Sequence, residues 1–170
     1  MMTPSVRLRN NGEAAGLKPE EVERLTERAT ASTFYGDNLT LQQIEANRRI
    51  PILAREVFFK AAASEHQHLA AAVTKERLAG FMIATRHGQD DLELDWLMVD
   101  PAQHGAGLAV ALMTEGVEWL GSDRPIWLTV LKHNRRAIHF YGKFGFEIDE
   151  EAELDRIVPT WIMRRPGRVR

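Results

Sequence analysis

Apolar residues recur at helical spacing along several parts of the chain. The clearest pattern covers residues 109–120, where apolar positions follow i, i+3, i+4, i+7, i+8 and i+11. An earlier helix is predicted to begin at Thr40, because Thr40 and Gln43 form a Thr-x-x-Gln capping box. Pro19 suits the first turn of another helix, and Asn134 suits the N-cap of the last one. These patterns predict two helices early in the chain and two in its second half.

Shorter apolar runs, bounded by polar turns, predict strands. The three runs Leu69–Thr74, Leu78–Arg86 and Leu92–Val99 follow one another closely and predict consecutive antiparallel strands. Further strands are predicted at Val6–Arg9, Ile126–Leu131, Phe146–Asp149 and Thr160–Arg164. The order is strand, two helices, three strands, helix, strand, helix and two strands. It predicts an α/β fold in which helices cover both faces of a mixed sheet.

Length and composition narrow the class of protein. A chain of 170 residues favours a single domain over residues 1–170, and the basic end, residues 163–170, is expected to be a frayed tail. The formal net charge of −2 gives no general attraction to nucleic acid or membrane, so neither partner is expected. The absence of cysteine excludes disulfides and a thiol nucleophile. Because no apolar run resembles a signal peptide or a membrane span, a cytoplasmic location is expected.

A loop of small residues joins the strand that ends at Val99 to the helix near Ala109. Pro101 ends the strand, and residues 104–109 read His-Gly-Ala-Gly-Leu-Ala. Backbone N–H groups in such a loop, beside a helix N-terminus, bind a pyrophosphate without charged side chains. A dinucleotide fingerprint requires Gly or Ala where Val110 stands, and the sequence contains no Gly-Lys-Ser/Thr triplet of a Walker loop. The loop therefore predicts a phosphate cradle of another kind, with a simple tight turn as the alternative.

Two motifs in order resemble the GNAT superfamily of N-acetyltransferases. Residues 100–109 are similar to motif A, whose pattern Gln/Arg-x-x-Gly-x-Gly/Ala falls on His104, Gly107 and Ala109. His104 departs from the usual Gln or Arg, which leaves the backbone cradle intact and weakens one side-chain contact. Residues 134–146, Asn-x-x-Ala-x-x-x-Tyr-x-Lys-x-Gly-Phe, are similar to motif B. The resemblance implies a GNAT-like α/β fold with a mixed, partly splayed central sheet, and acetyl-CoA as the acyl donor.

The resemblance also implies where acetyl-CoA would lie. The pantetheine would run between the splayed strands Leu92–Val99 and Ile126–Leu131 like an added strand, and the pyrophosphate would bind the loop. Asn134 would hydrogen-bond the pantetheine, whereas Lys143 either approaches the cofactor or is solvated. No metal is expected. The expected cofactor-binding residues are Leu97, Met98, Val99, His104, Gly105, Ala106, Gly107, Leu108, Ala109, Asn134, Tyr141 and Lys143.

Acyl transfer to an amine needs a base, donors for the oxyanion and a proton for the leaving thiolate. The resemblance implies that Tyr141 gives the proton and that the Val99 N–H binds the oxyanion; a core tyrosine is the alternative for Tyr141. Strand alternation places Glu93 and Asp95 on the face shared by residues 97 and 99, where either carboxylate is a candidate base acting through water. The alternatives are a solvated or ion-paired carboxylate, and a water chain with no dedicated base.

The acceptor site is expected between the early helices. Phe34 and Tyr35 are candidates for its lining, with a core position for Phe34 as the alternative. The sequence thus predicts an enzyme that moves acetyl from acetyl-CoA to a primary amine of a small molecule or peptide, by direct attack in a ternary complex. A CoA-binding sensor or scaffold without turnover is the alternative from another class. Trp161 and the last strand leave a homodimer open.

Overall fold

The computed structural model describes residues 6–31, 38–75 and 77–168. Its elements, in chain order, are β1 (Arg7–Asn10), α1 (Asn11–Ala14), α2 (Pro19–Thr30), α3 (Leu41–Arg48), α4 (Ile50–Ala62), β2 (Gln67–Thr74), β3 (Arg77–Arg86), β4 (Leu92–Val99), a 3-10 turn (Pro101–Gln103), α5 (Leu108–Leu120), β5 (Ile126–Leu131), α6 (Arg135–Gly142), β6 (Glu147–Asp149) and β7 (Thr160–Arg165). The described part of the chain has no helix that is both long and apolar enough to cross a bilayer.

The seven strands form one mixed sheet in the order β1-β2-β3-β4-β5-β7-β6. The first four strands are antiparallel to their neighbours, β4 and β5 are parallel, and β7 is antiparallel to both β5 and β6. A parallel pair needs a crossover connection, which α5 supplies between β4 and β5. The predicted mixed sheet is confirmed.

Helices cover both faces of the sheet and bury two separate cores. On one face α5 packs against β2, β3 and β4, and its buried side chains include Leu112, Met113 and Leu120. On the other face α2 and α4 bury residues such as Leu25 and Phe58 against β2 and β3. The sheet is therefore apolar on both sides, as the long unbroken apolar runs of its central strands require.

The predicted helix starts at Thr40 and Asn134 are confirmed. The Thr40 hydroxyl accepts from the Gln43 N–H at 3.2 Å, and the Gln43 side chain accepts from the Thr40 N–H at 3.0 Å, which completes the capping box. The Asn134 side chain accepts from the Ala137 N–H at 3.2 Å and so begins α6 beside the splayed strands.

The prediction that residues 163–170 form a frayed tail is wrong at its beginning. Met163 is buried and pairs with Leu128, and Arg165 pairs with Ile126, so both belong to β7. Beyond the strand, the Arg168 N–H donates to the Asp123 carbonyl at 2.9 Å. β7 pairs with β5 along its whole length and with β6 at residues 162–164 alone, and the homodimer remains a prediction.

Candidate active site

A cleft opens where two neighbouring strands separate. β4 and β5, both fully described, pair only between Glu93 and Trp127 and then diverge towards Val99 and Leu131. The cleft between them has a volume of about 450 Å³, a common size for small-molecule sites. It is lined by Ala29, Thr30, Ile50, Leu53, Glu93, Asp95, Trp96, Leu97, Met98, Val99, His104, Ala109, Thr129, Val130, Leu131, Asn134, Arg136, Ala137, Phe140, Tyr141, Arg156 and Thr160.

A β-bulge in β4 overturns the predicted strand alternation. Between Phe81 and Ile83 the register advances two residues on β3 and three on β4, and Trp96 takes a positive φ of 54°. Leu97 and Val99 therefore pack on the α5 face, whereas Trp96 and Met98 pack on the α2 and α4 face. The side chains of Glu93 and Asp95 do not share the face of residues 97 and 99, because the extra residue reverses the alternation after position 95.

The bulge leaves the backbone of β4 facing the cleft at two positions. The Asp100 N–H donates to the Ala79 carbonyl of β3 at 2.8 Å, and an added Cβ at Gly80 would lie 2.9 Å from the Met98 carbonyl oxygen. The backbone groups of residues 98 and 100 thus point to β3. Since backbone groups alternate sides along a strand, those of Leu97 and Val99 point to the cleft.

Asp95 is a buried carboxyl of the cleft. Burial, together with the nearby charge of Glu93, raises the pKa of Asp95 to about 7. Three groups act the other way: the Trp96 N–H, which donates to Asp95 Oδ1 at 2.7 Å, and the more distant charges of Arg156 and His87. A carboxyl that titrates near neutral pH in a cleft has the property expected of a general base.

Glu93 lies beside Asp95 and has a partner of its own. Its Oε2 is 2.5 Å from Nε2 of His87 on the turn between β3 and β4. The side chain of Glu93 is 13% exposed and that of His87 is 42% exposed. The pair therefore leads from the cleft towards solvent.

Tyr141, on α6, faces the cleft from the α5 side of the sheet. Its ring packs against Phe146, with centroids 6.3 Å apart. Burial, and then the charge of Asp95, raise the pKa of the Tyr141 phenol above its ordinary value. The phenol therefore stays protonated at neutral pH, and Asp95 is close enough to influence it through the gap between the strands.

The loop after β4 has the shape of an anion cradle. Gly105 and Gly107 adopt positive φ angles of 85° and 76°, and a Cβ at either would meet no atom within 4 Å. α5 begins at Leu108 without a side-chain cap, so its first-turn N–H groups are left for another acceptor. Of the predicted loop residues, His104 and Ala109 line the cleft, while the Leu108 side chain is buried in the core.

His104 stands at the cradle end of the cleft near Arg136. Partial burial and the charge of Arg136 lower the pKa of His104, and the charge of Asp100 acts the other way. The imidazole is therefore neutral at neutral pH and adds no charge to the cradle.

Sequence reasoning missed the ion pair that holds this loop. The Arg28 guanidinium of α2 donates to both Asp100 oxygens at 3.0–3.2 Å, and Asp100 also accepts from the Ala102 N–H at 3.0 Å. Burial acts to raise the pKa of Asp100, but these hydrogen bonds from Arg28 and Ala102 hold it below its ordinary value. Nothing in the sequence links residues 72 positions apart, so only the fold reveals the pair.

The remaining predicted residues divide into three groups. Asn134 lines the cleft with its oxygen engaged in capping, which leaves its NH₂ group to donate. Lys143 stands at the C-terminal end of α6 and is not among the lining residues. Phe34 and Tyr35 lie outside the described residues. On the side of the cleft where the acceptor is predicted, the described lining comes from α2, α4 and the segment that holds Arg156.

Comparison with known proteins identifies the class. The sequence profile of the Acetyltransferase (GNAT) family matches residues 32–146. The chain therefore belongs to the GNAT family of acetyltransferases. Among curated proteins, an uncharacterized N-acetyltransferase of Mycobacterium tuberculosis is 39% identical over 77 residues, which is 43% of this chain and 48% of that protein. The chain thus matches about half the length of these curated relatives.

Solved structures share the fold at low identity. The PaiA N-acetyltransferase of Thermoplasma acidophilum, in complex with coenzyme A, superposes with a TM-score of 0.75 at 17% identity and covers 95% of this chain and 99% of that one. The ribosomal-protein-S18-alanine N-acetyltransferase of Escherichia coli gives 0.63 at 18% identity and covers 98% and 96%. These similarities confirm the predicted splayed GNAT fold.

Proposed function

We propose that the protein is an acetyl-CoA-dependent N-acetyltransferase that acts on a primary amine by direct attack in a ternary complex. The observation that carries the proposal is the cleft between β4 and β5, which runs from the glycine loop to Asp95 and Tyr141. Residues 1–170 would act as one cytoplasmic catalytic domain.

The residues of the cleft fit coenzyme A. The two glycines with open space in front of them and the uncapped start of α5 suit a diphosphate. Beyond Glu93 the backbone of β4 has no strand partner on the β5 side, so Leu97 and Val99 can pair with the amides of an extended pantetheine. Asn134 can donate its NH₂ group to the same arm. Bound acetyl-CoA supplies an activated acetyl thioester to this cleft.

Asp95 is assigned as the base. An alkylammonium ion has no lone pair, so one proton must leave before attack. A carboxylate whose pKa is near 7 accepts that proton far more readily than an ordinary aspartate. Glu93 and His87 then offer a route by which the proton reaches solvent.

Tyr141 and the backbone complete the reaction. As the amine nitrogen bonds to the acyl carbon, the Val99 N–H donates to the acyl oxygen, where negative charge develops. When the carbon–sulfur bond breaks, Tyr141 donates its proton to the sulfur. The attacking nitrogen must lose a second proton to become an amide, and this proton restores the phenol of Tyr141. Protonation of Asp95 removes the charge that raises the pKa of Tyr141, so capture of the amine proton makes the phenol a better acid. The products are an acetamide and free CoA thiol.

Release of CoA thiol tests the proposal. Purified protein is mixed with acetyl-CoA and a panel of primary amines, and thiol is followed with a chromogenic disulfide, while CoA affinity is measured by calorimetry. We expect CoA binding, and thiol release that depends on an amine. CoA binding without thiol release in the presence of any amine would favour a CoA-binding sensor or scaffold. Absence of CoA binding would exclude both the acetyltransferase and the sensor or scaffold.

A further inference from the structure

The segment between β6 and β7 brings an arginine to the acceptor side of the cleft. Arg156 is exposed and is among the cleft-lining residues. The neighbouring residue is fixed from α3, because Gln43 Nε2 donates to the Ile157 carbonyl at 3.0 Å. Gln43 is itself held by the Thr40 capping box. Arg156 therefore stands on a segment anchored to a helix end.

The Arg156 guanidinium is not used within residues 6–31, 38–75 and 77–168. It makes no hydrogen bond or ion pair with any of them and acts on Asp95 only through space. Other arginines, such as Arg28 and Arg164, are paired with carboxylates at 3.0 Å and 2.7 Å. A guanidinium at the rim of a cleft with its donors unused is suited to a carboxylate, which it can bind through two hydrogen bonds.

Other polar groups on the acceptor side are engaged or acidic. The Thr30 hydroxyl donates to the Thr26 carbonyl at 2.7 Å, and the Thr160 hydroxyl donates to the Val158 carbonyl at 2.9 Å. Among the described residues, this side of the cleft thus offers an acceptor two carboxylates, Glu93 and Asp95, and one cation, Arg156. The other arginine of the lining, Arg136, lies near His104 at the cradle end. This arrangement is complementary to a molecule that carries both charges.

The apolar lining and the volume limit the acceptor further. The side of the cleft that holds the two carboxylates is also lined by four apolar residues, Ile50, Leu53, Trp96 and Met98. The volume of about 450 Å³ has to admit the acyl end of the donor as well as the acceptor. A small acceptor with an apolar side chain fits these conditions.

We propose that the acceptor is a free amino acid with an apolar side chain, whose carboxylate binds Arg156 while its amine faces Asp95. This inference rests on the proposed acetyltransferase function. A polyamine offers no anion to Arg156, and a peptide N-terminus offers an amide in place of the carboxylate.

Matched acceptors and matched variants test the proposal. The acceptors are leucine, methionine and phenylalanine, each paired with its amide, together with spermidine and a tripeptide. The enzymes are wild type, Arg156→Gln, and Arg168→Gln as the control. Arg168 is exposed and absent from the cleft lining, so its substitution removes one positive charge and leaves the cleft unchanged.

For Arg156→Gln we expect kcat/KM for the amino acids to fall by about 10- to 100-fold, the usual consequence of losing a hydrogen bond to a charged group. For the amides we expect a change below about threefold, because their carboxamide makes no ion pair. Any effect of Arg156 on Asp95 is common to both acceptors, so their ratio isolates carboxylate recognition. Arg168→Gln should behave as wild type, and CoA affinity should stay constant in all three proteins.

Three results would overturn the inference. If wild type prefers spermidine, the tripeptide or the amides, or if Arg156→Gln affects acid and amide equally, Arg156 does not recognise a carboxylate, and the acetyltransferase function stands. If CoA binds and no amine releases thiol, the proposed function falls and takes this inference with it.

Discussion

At the scale of single residues, the proposed chemistry rests on two groups that influence each other through the gap between β4 and β5. Asp95 comes from a strand and Tyr141 from a helix on the opposite face of the sheet. Burial perturbs the pKa of both groups upwards, which makes the acid a better base and keeps the phenol protonated. The pair can therefore receive a proton on one side of the sheet and donate one on the other.

Tyr141→Phe isolates the proton donor. Loss of the hydroxyl should lower kcat by about 10- to 1,000-fold, the range of a general acid, and should leave CoA affinity within about twofold. Thiol release and calorimetry measure the two quantities. Unchanged kcat would assign Tyr141 to the core and not to the reaction.

The pH profile tests Asp95. Because its pKa is about 7 and the base must be ionised, kcat/KM should fall about tenfold for each pH unit below 7. Glu93→Gln removes the carboxylate charge that raises this pKa, so the acid limb should move to lower pH. Asp95→Asn should lower kcat by about 100- to 10,000-fold.

The pH dependence of folding stability tests the pKa of Asp95 without relying on turnover. The native pKa of Asp95 lies above its unfolded value of about 4, so the folded state binds the extra proton and wild type loses stability as pH rises from 4 to 7. Asp95→Asn should lose less stability over this range in urea denaturation. Asp95 would be excluded as the base by two results together. The acid limb of kcat/KM would be the same in Glu93→Gln as in wild type, and the stability of Asp95→Asn would depend on pH as that of wild type does.

At the scale of elements, the bulge at Trp96 decides which groups reach the cleft. Gly80 makes room for it, because a Cβ there would lie 2.9 Å from the Met98 carbonyl oxygen and 3.1 Å from Leu112. Backbone cannot move aside as a flexible side chain can. The close approach of β3 and β4 at this point therefore requires glycine.

Gly80→Ala should destabilise the fold by about 1–3 kcal/mol through overpacking. It should also raise KM for acetyl-CoA, because displacement at Met98 would shift Leu97 and Val99, whose backbone groups are proposed to pair with the cofactor. Gly88→Ala, on the turn between β3 and β4 with nothing within 4 Å of the added Cβ, is the control. Urea denaturation and thiol release measure both effects, and wild-type values for Gly80→Ala would show that the close approach is unimportant.

The elements themselves were predictable because their signals are local. The helix starts at Thr40 and at Asn134 are each marked by a capping contact between residues only a few positions apart. The bulge was not predictable, because it depends on pairing between β3 and β4 and leaves the apolar pattern of β4 intact. The end of the last strand was only partly predictable, because Arg164 and Arg165 are charged residues typical of solvated segments, whereas their place in β7 is fixed by pairing with β5 and β6.

At the scale of the whole molecule, one ion pair joins the proposed acceptor side of the cleft to the glycine loop. Arg28, near the C-terminal end of α2, holds Asp100 at the start of the loop, and Arg24 adds a longer contact of 3.6 Å. The adjoining residues Ala29 and Thr30 line the cleft. The motif resemblance led to the proposed cofactor half of the site, whereas this link and the position of Arg156 follow from the assembled fold.

Asp100→Asn should destabilise the protein at neutral pH, because it removes the charge that Arg28 binds and keeps the acceptor for the Ala102 N–H. The pKa of Asp100 is lowered in the folded state, so its contribution is present above about pH 4 and is lost as pH falls. The difference in urea midpoint between variant and wild type should therefore shrink towards pH 3. A difference that is constant with pH would mean that the charge of Asp100 is not what matters.

The proposed function requires that the loop at Gly107 binds the diphosphate of CoA. The most direct measurement is the CoA dissociation constant of Gly107→Asp compared with Gly107→Asn, since both residues tolerate the positive φ at this position and they differ in charge alone. We predict that Asp weakens binding at least about tenfold more than Asn, and that the gap narrows as salt is added. Equal CoA affinity in the two variants at low salt would contradict the cradle and the function built on it.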